Sequence, residues 1–269
     1  MRNPGDIAFF ADIDRSDDPD YFAHLLIRAQ SCPGAQEGRA AARERLRLQA
    51  GHMVLDAGCG PDREAVELAR IVGPGGRAVG IDFSQAMIAR ARSCPDAQGL
   101  PVDFVVGDAH RLPFANATFD ACRAGSLLIN VVEPDRVLAE LTRVVKPGGR
   151  VVVLDSDNDT LFVDSPYPEI TRTVVHSVTD SEHNGAIGRQ LPGLLRQQGL
   201  TELEIWTGVV LLDFEVIRLF VEGVVDRAVR EGRLSPDEVA RWWDSLRRAD
   251  TAGTFTAGKT LFVVAGTRC

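Results

Sequence analysis

The stretch Val54-Leu55-Asp56-Ala57-Gly58-Cys59-Gly60-Pro61-Asp62 constrains this chain more than any other, because an apolar run passes directly into a glycine-rich turn and then a helix-like segment. Glycines permit backbone angles that side chains resist, and they remove bulk where a ligand would lie against the main chain. The next helix begins with unpaired N–H groups, so strand, turn and helix together read as a nucleotide cradle. A two-glycine turn alone is a weak signal. Its weight comes from two further apolar runs in register with it, the second of the chain ending in Asp82 and the third in Gly107-Asp108.

From about residue 53 to 155 short apolar runs alternate with helix-like stretches, the pattern of parallel strands joined by crossover helices. The strands are expected at Met53 to Ala57, Ala78 to Asp82, Val102 to Val106, Phe119 to Ala124 and Val151 to Asp155. Gly73-Pro74-Gly75-Gly76 and Lys146-Pro147-Gly148-Gly149 serve as turns, and Ser84 caps a helix over Gln85 to Ser93. Ser156 to Gly185 reads as a polar surface excursion over the strand ends. After it come a helix (Gly188 to Gln198), a sixth strand (Glu202 to Asp213) and a final strand (Lys259 to Gly266). Two amphipathic helices, about Phe214 to Glu231 and Pro236 to Asp250, stand between those last strands where a hairpin would suffice, which suggests a cap over a ligand cleft. Pro19 to Leu48 is also helical. The expected fold is therefore α/β, a doubly wound, mostly parallel seven-stranded sheet with a helical cap. Residues 1–48 form an N-terminal cap segment, 49–213 with 258–269 the core, and 214–257 the cap insertion.

A net charge of −8 leaves no electrostatic footprint for gripping phosphate backbones, so nucleic acid is not an expected partner. Five widely spaced cysteines without a CxxC pair argue against both a disulfide framework and a zinc site, and no metal is expected. The N-terminus lacks a signal-like apolar core, and no apolar run approaches membrane-spanning length. The expectation is a cytoplasmic protein, monomer or homodimer, away from membranes.

Ligands of open parallel sheets sit outside the carboxyl ends of the strands. Here those ends carry Asp56, Gly58 to Asp62, Asp82, Asp108, Arg123 to Ser126 and Asp155. An acid closing strand two, about 20 residues past the glycine turn, is placed to accept from both hydroxyls of a ribose. Asp108, one strand over, can accept from an adenine amino group. The dinucleotide fingerprint G-x-G-x-x-G fails, since Gly58-Cys59-Gly60-Pro61-Asp62 is followed by Arg63, and Asp62 would press a carboxylate toward a pyrophosphate. A carboxylate-rich turn suits a positively charged, phosphate-free ligand such as a sulfonium adenosine.

Through five segments the chain resembles the class I S-adenosylmethionine-dependent methyltransferases, in the small-molecule group related to the ubiquinone-biosynthesis enzymes. The resemblance rests on VLDAGCGPD (Val54 to Asp62), VGIDFSQAMIARAR (Val79 to Arg92), VVGDAHRLPF (Val105 to Phe114), FDACRAGSLL (Phe119 to Leu128) and LAELTRVVKPGGRVVVLDSD (Leu138 to Asp157). It implies S-adenosyl-L-methionine as cofactor and a small organic methyl acceptor. Gly58 and Gly60 would face the methionine part, Asp82 the ribose, Phe83 the adenine ring, and Asp108 with Ala109 the adenine amino group. Cys59, Met87, Gly107, Arg123 and Ala124 complete the expected cofactor wall, and Arg28 resembles the arginine turned toward the cofactor carboxylate.

Two positions depart from the family pattern. Asp62 stands where a third glycine is usual, and Ile129-Asn130 replaces a common Gln-His pair. They motivate an alternative, a cyclase or other non-methylating enzyme that keeps the cofactor as a structural element. Asp56 either shapes the turn or touches ligand. Asp155 and Asp157 either face the acceptor or are solvated loop acids. Arg189 either holds an acidic acceptor or makes a salt bridge at a helix start. Trp206, Trp242, Trp243 and Phe255 are expected to pack the cap. Among the histidines, His183 in Glu182-His183-Asn184 is the candidate general base.

Overall fold

A computed structural model describes residue 14, residues 19–61 and residues 63–269. Asp62, the departure within the glycine turn, lies outside the described residues. Helical residues at the N-terminus form two helices, α1 (Pro19–Ser31) and α2 (Pro33–Arg45). The break falls at Cys32, whose extended backbone (φ −61°, ψ 140°) is what the proline after it enforces. The chain then runs β1 (Met53–Ala57), α3 (Glu64–Val72), β2 (Arg77–Asp82), α4 (Gln85–Arg92), β3 (Val102–Val106) and β4 (Phe119–Gly125). It continues through α5 (Pro134–Val144), β5 (Val145–Val163), α6 (Pro168–Ser181), α7 (Ile187–Gln197) and β6 (Leu200–Leu211). Two helices, α8 (Phe214–Arg230) and α9 (Pro236–Thr251), precede β7 (Ala257–Arg268).

The strands form one seven-stranded sheet in the order β3-β2-β1-β4-β5-β7-β6. All neighbours from β3 to β5 are parallel, whereas β7 runs antiparallel to both β5 and β6. The sheet is doubly wound because alternate side chains along each strand enter different cores. Leu55, Ala57, Cys122, Ala124, Val151 and Val153 face α5 and α7. Val54, Ala121, Val152, Leu154, Val263 and Ala265 belong to the opposite core, which also takes in α2, α6, α8 and α9.

The segment expected to be a surface excursion is different. β5 continues beyond Asp155 to Val163, and its far end pairs Phe162 with Gly258 and Val163 with Ala257. Alternation supplies the reason: Leu161 and Val163 are buried while Thr160 and Phe162 are more exposed, so a half-buried strand fits the polar sequence. The remainder forms α6, whose Ile170, Val174 and Val178 pack into the core shared with α8 and α9.

The two inserted helices start at side-chain caps. Asp213 accepts from the Val216 N–H at 2.8 Å, and Ser235 with Glu238 forms a reciprocal capping box. Trp242 of α9 is wholly buried, and its indole N–H donates to Thr171 Oγ1 of α6 at 3.0 Å. Trp243 and Phe255 meet Phe214 edge-on, so the aromatic residues pack this layer as expected. Trp242→Ala should leave a cavity between α6 and α9 and cost about 3–5 kcal/mol. A loss of unfolding free energy in urea titration measures it, and a change under about 1 kcal/mol contradicts this packing.

Candidate functional site

A cleft of about 1470 Å³, counting its open mouth, crosses the carboxyl ends of the parallel strands. Its walls come from the turn after β1, the ends of β2, β4 and β6, the middle of β5 at Leu154 to Ser156, and the start of β7, with α1, α2 and α8 above. Across ~4.8 Å strand spacings this is a long trough, with β2 at one end and β7 at the other.

At the β2 end the expected cradle forms. Gly58 and Gly60 adopt φ of +68° and +57°, in the left-handed region. A Cβ on Gly58 would stand 2.8 Å from Leu127 Cδ1, so both the angle and the space require glycine. Asp82 lines the cleft, and its carboxylate accepts from the Gly60 N–H and the Ser84 N–H, each at 2.9 Å. Burial raises Asp82 above the usual carboxylate range despite these bonds. A carboxylate has about four lone-pair positions, so the two oxygens keep acceptor capacity for a ligand. Cys59, Phe83, Met87 and Arg123 also line the cleft, and Phe83 is 46% exposed at its rim.

Other expected site residues stand elsewhere. Asp56 is 1% exposed, accepts from Arg123 Nη1 at 2.7 Å, and is not part of the cleft lining. Ala124, the neighbour of Arg123 on β4, points into the opposite core because strand side chains alternate. Arg28 does not line the cleft; it extends along the surface to Asp213 at 2.8 Å. Arg39, one helix later, supplies a cation to the wall instead, while pairing with Glu64 at 2.8 Å. Gly107, Asp108 and Ala109 lie outside the cleft lining, although the Gly107 N–H donates to the Asp82 carbonyl at 2.9 Å. Asp108 accepts from the His110 N–H at 2.8 Å and contacts its ring Nδ1 at 2.7 Å. Burial works to raise Asp108, but the bonds from His110 outweigh it and hold the carboxyl low.

His183 is exposed and is not part of the cleft wall, whereas its neighbour Glu182, which caps the end of α6, is. The turn that carries both is anchored by Asn184, whose amide donates to the carbonyls of Leu128 and Val131 at 2.8 and 2.7 Å. Arg189 pairs with Asp157 and Asp159 at the start of α7, the salt-bridge alternative, and takes Asp157 out of consideration as a cleft acid. Asp155 does line the cleft. The loop after β4 is strained, since Ser126 holds φ +52° without being glycine. Its N–H donates to the Leu154 carbonyl at 2.7 Å, and Asn130 donates to the Ser126 carbonyl at 3.0 Å.

The β7 end of the trough has a different character. Val210, Leu212, Val216, Phe220 and Leu261 make an apolar wall, beside which Asp155, Glu182 and Lys259 gather. Asp155 is fully buried; Oδ2 accepts from the Leu128 N–H at 2.9 Å, the Ile129 N–H also faces the carboxyl, and Oδ1 has no hydrogen-bond partner. Burial pushes this carboxyl up to about 8, and Glu182 to about 7. Lys259 donates to Asn158 Oδ1 at 2.8 Å, lies 4.3 Å from the centre of the Phe220 ring, and is pushed down by burial. Among the described residues no group of three or more His, Cys, Asp or Glu side chains is arranged to hold a metal, and no helix is long and apolar enough to cross a membrane.

Comparison with known proteins agrees with this architecture. Residues 55–153 match a family described as a methyltransferase domain. An uncharacterized 37.1 kDa protein in transposon TN4556 of Streptomyces fradiae is 38% identical over 221 residues, 80% of this chain and 62% of that protein. The demethylmenaquinone methyltransferase of Bacillus cytotoxicus is 39% identical over 131 residues, 47% of this chain and 55% of that enzyme. The chain thus spans little more than half the length of these curated relatives. Among solved structures, the YcgJ protein of Bacillus subtilis superposes with a TM-score of 0.61 at 17% identity, over 87% of this chain and 99% of that one. The [4+2]-cyclase SpnF gives a TM-score of 0.53 at 25% identity, over 87% and 80%.

Asp155→Asn gives a direct test of the buried acid. A carboxyl raised in the folded state holds its proton there after the unfolded chain has lost it, so its stability contribution is present below about 4 and is lost as pH rises toward about 8. Asparagine keeps the Leu128 bond and removes the titration. The unfolding midpoint of the variant relative to the parent should therefore be higher at about pH 8 than at about pH 5, the two ends of that window; calorimetry at both values checks it, and the reverse order refutes it.

Proposed function

From the premise that residues 55–153 belong to the class I S-adenosylmethionine-dependent methyltransferase domains, we propose that this chain transfers a methyl group from S-adenosylmethionine to a small organic acceptor. The observation that carries this reading is Asp82, facing the cleft beside the glycine turn and accepting from its Gly60 N–H. Gly60 leaves open space for a ligand against the main chain, Gly58 lets Leu127 pack against the same turn, Asp82 offers acceptors for a ribose diol, and Phe83 offers an exposed ring face to a base. Arg39 and Arg123 bring positive charge to the middle of the cleft, which suits the carboxylate of an amino acid. These residues fit an adenosyl amino acid, and the bound cofactor would supply an already activated sulfonium methyl.

The protein's own work is then to hold the acceptor in line and exclude water. We assign that work to the helices outside the central sheet. Val216 and Phe220 of α8 line the cleft, and α6 contributes Glu182 at its end. Residues 214–257 are accordingly read as a cap insertion that sets acceptor choice. The net charge of −8 supports a small-molecule acceptor over nucleic acid.

Asp82→Ala should weaken binding of S-adenosylhomocysteine by about tenfold or more, as a lost charged hydrogen-bond acceptor implies. Isothermal titration reads it, and unchanged affinity removes the ribose assignment. The likeness to a cyclase, together with Ile129 and Asn130 at the cleft, supports a second reading in which no methyl group moves. Products formed with methyl-labelled cofactor separate the two: label in the product is expected, and turnover without it would favour the cyclase.

A further inference from the structure

We infer that Asp155, Glu182 and Lys259 form an acceptor subsite for a weakly acidic hydroxyl, phenolic or enolic, on an apolar body, with Glu182 taking its proton and Lys259 holding the resulting oxyanion. This rests on the proposed methyl transfer and names the substrate class for that same cleft.

Three observations carry it. The cluster lies beyond the glycine turn from Asp82, with Asp155 midway along β5, Lys259 at the start of β7 and Glu182 just after α6, so a ligand held at β2 leaves this end of the trough free. Next, Asp155 is 0% exposed and its Oδ1 has no hydrogen-bond partner although the residue lines the cavity. Buried polar atoms are ordinarily satisfied, and an orphan at a cavity wall marks a place for a ligand donor. Finally, Asn158, itself fully buried, joins the other two groups: it accepts from Lys259 at 2.8 Å and donates to Glu182 Oε2. The carboxylate and the ammonium are thereby fixed on one side of an apolar wall.

The sign and number of these groups define the ligand chemistry. A hydroxyl donates one hydrogen bond and accepts two, so it can donate to a carboxyl oxygen and accept from the lysine. An alkylammonium has no lone pair for Lys259 and is repelled by it. A carboxylate meets two acids. The reaction at this subsite is a proton transfer: the ligand O–H bond breaks, its electron pair stays on oxygen, and the proton joins the Glu182 carboxylate. A phenol-like hydroxyl titrates near about 10 in water, within reach of a buried base aided by a neighbouring cation, whereas an ordinary alcohol is far outside it. Among the described residues, the charged groups that act on one another at this site are those three, with the Cys32 thiol also near Lys259.

The test uses 4-nitrophenol, 4-nitroaniline and 4-nitrobenzoate as matched probes of the full chain saturated with S-adenosylhomocysteine. We expect nitrophenol to bind about tenfold tighter than the other two, and its yellow phenolate band to appear about one pH unit lower when bound than when free. Lys259→Met and Glu182→Gln should each abolish that spectral shift while S-adenosylhomocysteine affinity stays within about twofold. Asp155→Asn, which keeps the Leu128 bond, should weaken nitrophenol several-fold and serves if either other variant misfolds. Tightest binding by nitrobenzoate or nitroaniline, no binding of nitrophenol, or a spectral shift that survives the substitutions overturns the inference. Failure of the parent chain to bind S-adenosylhomocysteine would instead refute the cofactor reading, and nitrophenol titration of the cofactor-free chain would still report on the cluster.

Discussion

The cleft depends on a buried ionic network that clamps both ends of the glycine turn. Glu64, at the first turn of α3, is 0% exposed and pairs with Arg39 and Arg43 of α2 at 2.8 and 2.9 Å. Arg123 of β4 approaches Glu64 at 3.9 Å and binds Asp56 of β1 at 2.7 Å. Burial would raise Glu64, but the surrounding guanidinium groups hold it low. Replacing such a network by apolar residues often costs little stability, whereas removing one member strands a buried charge. Its consequence here is geometric. Asp56 enters the turn and Glu64 leaves it, so the turn between them is anchored to the same arginine, and α2 is drawn over the strand ends that the cleft crosses.

A change in chemical character along the trough results from the topology. Parallel strands deliver their carboxyl ends to one edge of the sheet, which brings together Asp82, the glycine turn, Ser126 and Asp155. β7 reverses direction, so its first residues, not its last, reach that edge. That reversal places Lys259 opposite Asp155 and Glu182. The reversed strand makes the far end mixed in charge.

Much of this was legible in the sequence because it is local. The strand, turn and acid at Val54 to Asp82 depend on neighbours within one βα step, and their boundaries are those the apolar runs predict. What failed depends on partners distant in the chain. β5 extends to Val163 only because residues 257 and 258 pair with it, and a polar stretch seen alone gives no sign of that. Arg28 and Arg39 are both helical arginines, and the break at Cys32 decides which of them faces the cleft. His183 and Glu182 are adjacent, so the expectation found the right turn and the wrong side chain; Asn184, bonded to the loop after β4, sets which of them faces inward. Lys259 was readable in principle, as a cation opening an apolar strand, once that strand's direction is known.

The inserted helices then couple shape to charge. α8 and α9 lengthen the connection from β6 to β7, where a hairpin would have left the strand ends open to water. Because they are present, Phe220 covers the Lys259 ammonium at 4.3 Å and Val216 closes the wall beside it. An ammonium covered by an aromatic face is stabilised by the ring but loses water, and a proton on it becomes easier to remove. The same loss of water raises Asp155 and Glu182 and strengthens every hydrogen bond a ligand makes there. A substitution in α8 that widened the pocket would therefore also rehydrate the three ionisable groups, so the size of this pocket and the protonation of its groups cannot be altered independently in this fold.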